Sequence, residues 1–301
     1  MDFMLYENVL GLIGNTPMVK LSNINFELNS KLYAKIEKNN LSGSIKDRAC
    51  YQMIISLINE GKLKKGSTII EPTSGNTGIG IACLCNYFSL NCIIVMPESM
   101  SLERRKLIKD FNGKLELVQG GMKECKERAN ELNKEIPDSI ILGQFDNENN
   151  VKAHYFYTAK EILNDLPDVD VIICGIGTGG TISGIGKYIK DNNLNIEVIG
   201  VEPKSSPLIT LKKVGKHKIQ GIGANFIPSI LDQSAISKMV LVSDEEAIES
   251  ARELVKKEGL FVGISSGANY AAAKQLIKDP IYKNKKILMI FPDSGERYSW
   301  N

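Results

Sequence analysis

Residues 171–186 read Val171-Ile172-Ile173-Cys174-Gly175-Ile176-Gly177-Thr178-Gly179-Gly180-Thr181-Ile182-Ser183-Gly184-Ile185-Gly186. The unbroken apolar run Val171–Cys174 reads as a strand buried on both faces. The glycine-rich turn after it leads into a helix, and a further strand is read at Glu197–Val201. Strand, helix, strand in that order is a crossover, which joins parallel strands. The same alternation runs through most of the chain. Strands are predicted at Lys31–Ile36, Thr68–Glu71, Asn91–Met96, Leu115–Val118 and Lys286–Phe291. Helices are predicted at Asp47–Glu60, Thr77–Tyr87, Leu102–Phe111, Met122–Lys134, Ala153–Leu163, Asp244–Gly259 and Gly267–Lys278. The fold class is therefore α/β, with two open parallel-sheet domains and a ligand cleft expected between them. The polar segment Gly143–Asn150 is read as the crossing point, since no Gly/Ser or Pro linker separates the two halves.

Composition removes several functional classes. The 301 residues are 43% hydrophobic and 24% charged, with a net charge of 37 − 35 = +2 and both signs mixed along the chain. That balance argues against a nucleic-acid-binding stripe. No apolar run approaches the ~18 residues that span a bilayer, and Met1–Ile13 lacks a signal-peptide pattern, so no membrane role is expected. The six cysteines include no CxxC, and the two histidines lie far from any cysteine pair, so no metal site is expected. Reduced structural thiols in a soluble intracellular, cytoplasmic protein are the expectation.

Three stretches carry chemistry. Thr73-Ser74-Gly75-Asn76-Thr77-Gly78 follows one strand and opens a helix, so backbone N–H groups gather at a helix N-terminus suited to a carboxylate or phosphate. An ordinary N-cap needs fewer small polar residues than this. Gly175–Thr181 is a second such turn; Gly175, Gly177 and Gly180 satisfy G-x-G-x-x-G and a following strand runs on to Glu202. A lone match of that kind is compatible with a nicotinamide-dependent oxidoreductase, or with a structural turn. In Ser42-Gly43-Ser44-Ile45-Lys46-Asp47-Arg48, Ser44 is read as an N-cap that places Lys46 in a first helical turn. A solvated lysine offset by Asp47 is the bland reading. Near positive helix ends an ammonium is disfavoured, which is what a Schiff-base lysine needs. One lysine, one phosphate cup and one carboxylate cup together suit pyridoxal phosphate and an amino-acid substrate.

From Gly14-Asn15-Thr16-Pro17 to Ser294-Gly295-Glu296-Arg297-Tyr298 the chain resembles the cysteine synthases (O-acetylserine sulfhydrylases) of the β-family, or fold type II, of pyridoxal phosphate enzymes. Ser42–Arg48, Glu71–Gly78, Met96–Ser101, Gly177–Thr181, Gln220–Ala224 and Gly263–Gly267 carry the resemblance. It implies a tryptophan-synthase-β-like fold, with a larger cofactor domain (1–39 and 149–301) and a smaller mobile substrate domain (40–148). It implies that Lys46 carries pyridoxal 5′-phosphate, that Asn76 bonds the ring hydroxyl, and that Gly177, Thr178, Gly179, Gly180 and Thr181 hold the phosphate. Ser265 would face the pyridine nitrogen. Thr73, Ser74, Gly75, Thr77 and Gln144 would take the substrate carboxylate, with Gly223 beside the substrate. A neutral serine stabilises the protonated ring less than a carboxylate would, which favours rapid loss of a β-substituent to an aminoacrylate. Partners implied are an amino acid with sulfide or a thiol, a second copy of the chain, and the C-terminal peptide of a serine acetyltransferase.

The lysine loop carries Asn40-Leu41 where the family usually has Asn-Pro, which removes one φ constraint. Relatives commonly continue beyond Tyr298, and no haem-ligating cysteine precedes Cys50. Four activities stay open at this stage. They are β-replacement of O-acetyl-L-serine by sulfide, a cysteine-consuming and sulfide-releasing variant, a nicotinamide oxidoreductase, and a non-catalytic carboxylate-binding module.

Overall fold

The computed structural model describes residues 5–24, 29–100 and 102–298; Ser101, the last residue of the Met96–Ser101 motif, lies outside them. In chain order the strands are β1 (Met18–Lys20), β2 (Lys31–Ile36), β3 (Thr68–Pro72), β4 (Asn91–Pro97), β5 (Lys114–Val118), β6 (Ser139–Ile141), β7 (Val171–Gly175), β8 (Glu197–Pro203), β9 (Lys238–Val242) and β10 (Lys286–Phe291). The helices are α1 (Lys46–Asn59), α2 (Asn76–Phe88), α3 (Leu102–Asp110), α4 (Met122–Glu135), α5 (Glu148–Ala153), α6 (Ala159–Asp165), α7 (Gly180–Asp191), α8 (Leu208–Leu211), α9 (Asp244–Glu258) and α10 (Ile264–Leu276). They form two units, Met1–Ile45 with Val151–Asn301, and Lys46–Asn150.

Among the described residues, the first unit holds a six-stranded sheet in the order β1-β2-β10-β7-β8-β9. Its strands are parallel except at the edge, where β1 runs antiparallel to β2. Alternate residues of each strand feed opposite faces, as the strand period of two requires. Ile173, Ile199, Val201, Met289 and Phe291 pack with Ala268, Ala271 and Ala272 of α10, while Ile172, Cys174, Val198 and Ile290 pack with Ile182, Ile185 and Ile189 of α7. Both faces are covered, which is why these strands read as continuous apolar runs. The second unit holds a four-stranded parallel sheet in the order β5-β4-β3-β6. All of β3 is buried; Ile70 and Val95 pack on Cys125, Ala129 and Leu132 of α4.

Where the structure departs from the sequence-based expectation, exposure and packing explain it. β1 and β6 are three residues long and only partly buried, so they lack the apolar run that marks a strand. The helix expected over Ala153–Leu163 is α5 and α6 joined by a π turn, His154–Thr158. α10 begins at Ile264, behind the N-cap Gly263, rather than at Gly267, which is an interior contact position. A Cβ there would run into the Ala247 carbonyl of α9 and come within 2.7 Å of Ala251 Cβ.

Gly-to-Ala exchange inside a helix ordinarily stabilises by about 1 kcal/mol. Gly267→Ala is expected to have the opposite sign, lowering the unfolding free energy by about 1–3 kcal/mol through overpacking between α9 and α10. Urea titration of the two proteins measures it; a raised midpoint would contradict this packing.

Candidate active site

In the second unit the chain leaves the buried end of β3 at Pro72, just after Glu71, and turns through Thr73–Gly75 into α2. Gly75 is the N-cap of α2, makes no side-chain capping bond, and faces open space where its Cβ would be. The leading amides of α2 therefore have no side-chain cap from that residue. The walls are polar and ordered. Thr73 Oγ1 accepts from Gly75 N at 3.4 Å, and the Ser74 carbonyl accepts from Arg104 Nη1 of α3 at 3.2 Å.

Gln144, from the loop after β6, reaches the same helix start. Thr77 Oγ1 donates to Gln144 Oε1 at 2.6 Å, with both residues buried. The loop is held by the Glu71 carboxylate, which accepts from Gly143 N (2.8 Å) and Gln144 N (3.2 Å). Asn150 Nδ2 donates to the Gln144 carbonyl at 2.8 Å. Lys46 is the first residue of α1, which packs on α2. One turn beyond it the Cys50 thiol donates to the Thr77 carbonyl at 3.6 Å.

In the first unit the loop from β7 to α7 runs against a second loop. A Cβ on Gly177 would collide with the Gly221 carbonyl, and Gly179, the N-cap of α7, sits at φ +86. Gly179 makes no side-chain capping bond, and Thr178 Oγ1 accepts from Gly180 N at 3.3 Å. The Ile176 carbonyl accepts from Gly223 N at 2.8 Å, tying the two loops together. Ser265 lies in the first turn of α10 behind another N-cap without a side-chain bond, Gly263; its Oγ is the nearest atom, 3.9 Å away, to a Cβ built on Gly221.

The site residues expected from sequence thus fall into two groups. Lys46, Thr73, Ser74, Gly75, Asn76, Thr77 and Gln144 belong to the second unit; Gly177–Thr181, Gly223 and Ser265 belong to the first. The donor chemistry fits pyridoxal phosphate. A helix start with a glycine N-cap, beside Gly177 and Gly179 that no side chain can replace, suits a phosphate, and a second glycine-capped start with a hydroxyl and an amide suits a carboxylate. Burial pushes the thiols of Cys50, Cys83, Cys125 and Cys174 up, and a hydrogen bond with Cys92, with burial second, raises that of Cys85, so none of these is a ready nucleophile at neutral pH.

Sequence reasoning passed over four residues here: Glu71 as the clamp on the Gln144 loop, Arg104 on Ser74, His154 at Thr181 and His217 at Gly223. His154 Nε2 lies 3.2 Å from Thr181 Oγ1, and His217 Nε2 lies 3.1 Å from the Gly223 carbonyl. Only Glu71 lay inside a quoted motif; the other three come from distant segments and left no local signal.

Burial pushes the Glu71 carboxyl up to about 7, against the lowering effect of the Gly143 and Gln144 amides. Its folded-state value lies above its unfolded one, so between the two the folded chain holds a proton that the unfolded chain has released. Stability should fall as pH rises through that window, by at most about 1.4 kcal/mol per unit for one proton, and level off above it. Glu71→Gln removes this contribution. The stability difference, variant minus parent, is expected to climb from pH 5 to 7 and stay flat above 8 in urea titrations. Parallel profiles would show that Glu71 titrates normally.

Residues 9–293 match the model of the pyridoxal-phosphate-dependent enzyme family. Cysteine synthase B of Campylobacter jejuni is 48% identical over 297 residues, covering 98% of this chain and 97% of that protein. Among solved structures, a hydrogen sulfide-producing enzyme of Fusobacterium nucleatum superimposes with a TM-score of 0.94 at 44% identity, covering 98% of this chain and 100% of that one. Cysteine synthase of Entamoeba histolytica gives a TM-score of 0.94 at 36% identity, over 99% and 90% of the two chains. Likeness of this extent, on loops whose glycines and hydroxyls suit a phosphate and a carboxylate, places the chain in the cysteine synthase family of pyridoxal-phosphate-dependent enzymes.

Proposed function

We propose that the protein makes L-cysteine and acetate from O-acetyl-L-serine and sulfide. The observation that carries this is the buried Thr77–Gln144 pair at the uncapped start of α2, on a helix packed against the one that Lys46 opens. A carboxylate cup beside a lysine-bearing helix selects an α-amino acid. Lys46 would hold the cofactor through Nζ, Asn76 its ring hydroxyl, Gly177–Thr181 its phosphate and Ser265 its pyridine nitrogen. Thr73, Ser74, Gly75, Thr77 and Gln144 would take the substrate carboxylate, with Gly223 beside the substrate.

Bound pyridoxal phosphate supplies an electron sink for the pair left at Cα. Lys46 Nζ, when not engaged with the cofactor, would take the Cα proton. The β C–O bond breaks and acetate departs with its electron pair. Hydrosulfide then forms the new C–S bond at Cβ, and Lys46 returns its proton to Cα. Acetate needs no protonation to leave. Hydroxide would, and so needs a proton donor that acetate does not.

The likeness to a hydrogen sulfide-producing enzyme favours a second reading, in which L-cysteine is the donor and sulfide the product. The family reading extends to a cytoplasmic homodimer, a smaller mobile domain, and a Thr73–Thr77 cup that also accepts the C-terminal carboxylate of a serine acetyltransferase. Among the described residues, no helix is long and apolar enough to cross a membrane.

Steady-state comparison of O-acetyl-L-serine, L-serine and L-cysteine tests the donor. O-acetyl-L-serine is expected to give the highest kcat/KM and L-serine the lowest; turnover of L-cysteine at or above that of O-acetyl-L-serine would establish the sulfide-producing reading instead. Borohydride reduction of the yellow protein followed by peptide mapping is expected to label Lys46 and to label nothing in Lys46→Ala. A label on another lysine removes the assignment.

A further inference from the structure

His154 is 2% exposed and takes no part in the chemistry above. It opens the π turn His154–Thr158, a rare helical form that recurs at functional sites. Its Nδ1 lies 3.0 Å from Thr158 Oγ1, and its Nε2 lies 3.2 Å from Thr181 Oγ1 in the first turn of α7. Close approach of the turn to α7 depends on Gly184, where a Cβ would meet His154 Cβ at 2.7 Å and Tyr155 N at 2.8 Å. The imidazole is thus held between two hydroxyls, one of which belongs to the glycine-rich loop.

Proton counting distinguishes two arrangements. A neutral imidazole has one N–H and one lone pair, and each threonine hydroxyl has a single proton to give. If Nδ1 carries the proton and donates to Thr158, Nε2 must accept from Thr181. The Thr181 proton is then spent on the ring, and its oxygen turns only lone pairs toward an anion. If Nε2 carries the proton and donates to Thr181 Oγ1, Nδ1 accepts from Thr158 and the Thr181 proton is left for the anion. A phosphate dianion accepts and does not donate, so only the second arrangement serves it.

We propose that His154 is a positioning residue whose Nε2–H tautomer, required by an anion at Thr181 and supported by donation from the Thr158 hydroxyl to Nδ1, frees Thr181 to donate to the cofactor phosphate. This rests on the assignment of Gly177–Thr181 as the phosphate loop. The direction runs Thr158 Oγ1–H to Nδ1, Nε2–H to Thr181 Oγ1, and Thr181 Oγ1–H to phosphate; no proton is transferred along it.

The chain has two histidines, so long-range proton–nitrogen correlation on the holoenzyme resolves their rings, with His217→Gln to assign them. The expected His154 signal is a neutral ring protonated at Nε2, alongside a single phosphorus resonance from bound pyridoxal phosphate. A ring protonated at Nδ1, or at both nitrogens, overturns the proposal while leaving the phosphate assignment intact. A missing bound-phosphorus resonance overturns the assignment itself, and the proposal with it. Thr158→Val keeps the side-chain shape and removes the hydroxyl. It is expected to introduce the Nδ1–H tautomer and to weaken pyridoxal phosphate binding about tenfold, with Thr158→Ser restoring both. A Thr158→Val protein that is less stable in urea yet keeps its tautomer and cofactor affinity would show a purely structural role.

Discussion

The first turn of every helix leaves backbone N–H groups without intrahelical partners, and this protein satisfies them in two ways. At α9 and α4 side chains take up N–H groups at or before the helix start. Ser243 Oγ accepts from Glu246 N at 3.2 Å and Glu246 Oε2 accepts from Ser243 N at 2.8 Å at the start of α9, while Glu124 Oε2 accepts from Gly121 N at 2.7 Å before α4. At α2, α7 and α10 the N-caps are Gly75, Gly179 and Gly263, none with a side-chain bond. Those three starts carry residues assigned to ligands; a glycine N-cap without a side-chain bond also precedes α4, at Gly121, so it is the combination with the neighbouring hydroxyls and amides that marks the sites. A serine or aspartate cap would stabilise each helix by about 1 kcal/mol and would compete with the ligand for the same donors.

Sheet topology decides where two of these starts lie. In the second unit the chain passes from β3 to β4 on one side, and β6 joins β3 on the other; in the first, β8 follows β7 on one side and β10 pairs on the other. At such a reversal the loops leaving the carboxyl ends of neighbouring strands diverge and leave a crevice. The loops after β3 and β6 supply Thr73–Thr77 and Gln144, which is how residues so distant in sequence come to share a hydrogen bond of 2.6 Å. Glu71 fastens that crevice from below. Ionising a wholly buried carboxyl is costly, and the Gly143 and Gln144 amides offset only part of that cost, so its titration is a measure of how firmly the Gln144 loop is held.

Much of this was legible in the sequence, and what was not has a common cause. β2 and β10 match their predicted bounds from first residue to last; β10 does so as an apolar run from Ile287 to Phe291, whereas β2 carries Lys31 and Lys35 among its apolar residues. β9 escapes the sequence reading although Met239–Val242 is an apolar run of four, while the three-residue β1 and β6 are too short and too little buried to stand out. The glycine loops announced themselves by local composition. Gln144 came only from resemblance to a family, since nothing in its surroundings shows that it meets Thr77. His154 and Arg104 were invisible for the same reason: their significance is a contact with a loop elsewhere in the chain, and periodicity reports only the residue's own helix.

The lysine loop shows how tertiary contacts replace a local constraint. With Leu41 in place of proline, the stretch before Lys46 gives up an unfolded-state restriction of about 0.4–1 kcal/mol. Within the first unit the loop is held by other means. Asn40 Nδ2 donates to the Glu37 carbonyl and to Glu37 Oε2, both at 2.8 Å, and Asn40 Oδ1 accepts from Gly14 N at 2.8 Å. The Asn40 carbonyl accepts from Gly43 N at 2.9 Å, and Ile45 N donates to the Pro292 carbonyl at 2.9 Å. Arg297 donates to the Ser42 carbonyl beside Gly43, whose φ of +90 and missing side chain leave room for the guanidinium. Each such bond contributes about 1 kcal/mol net when buried, so together they exceed what the proline would supply. They also explain why Gly14–Thr16 and Glu296–Tyr298, near the two ends of the resemblance, belong with the lysine motif: Gly14 and Arg297 are the residues that close the loop leading into Lys46.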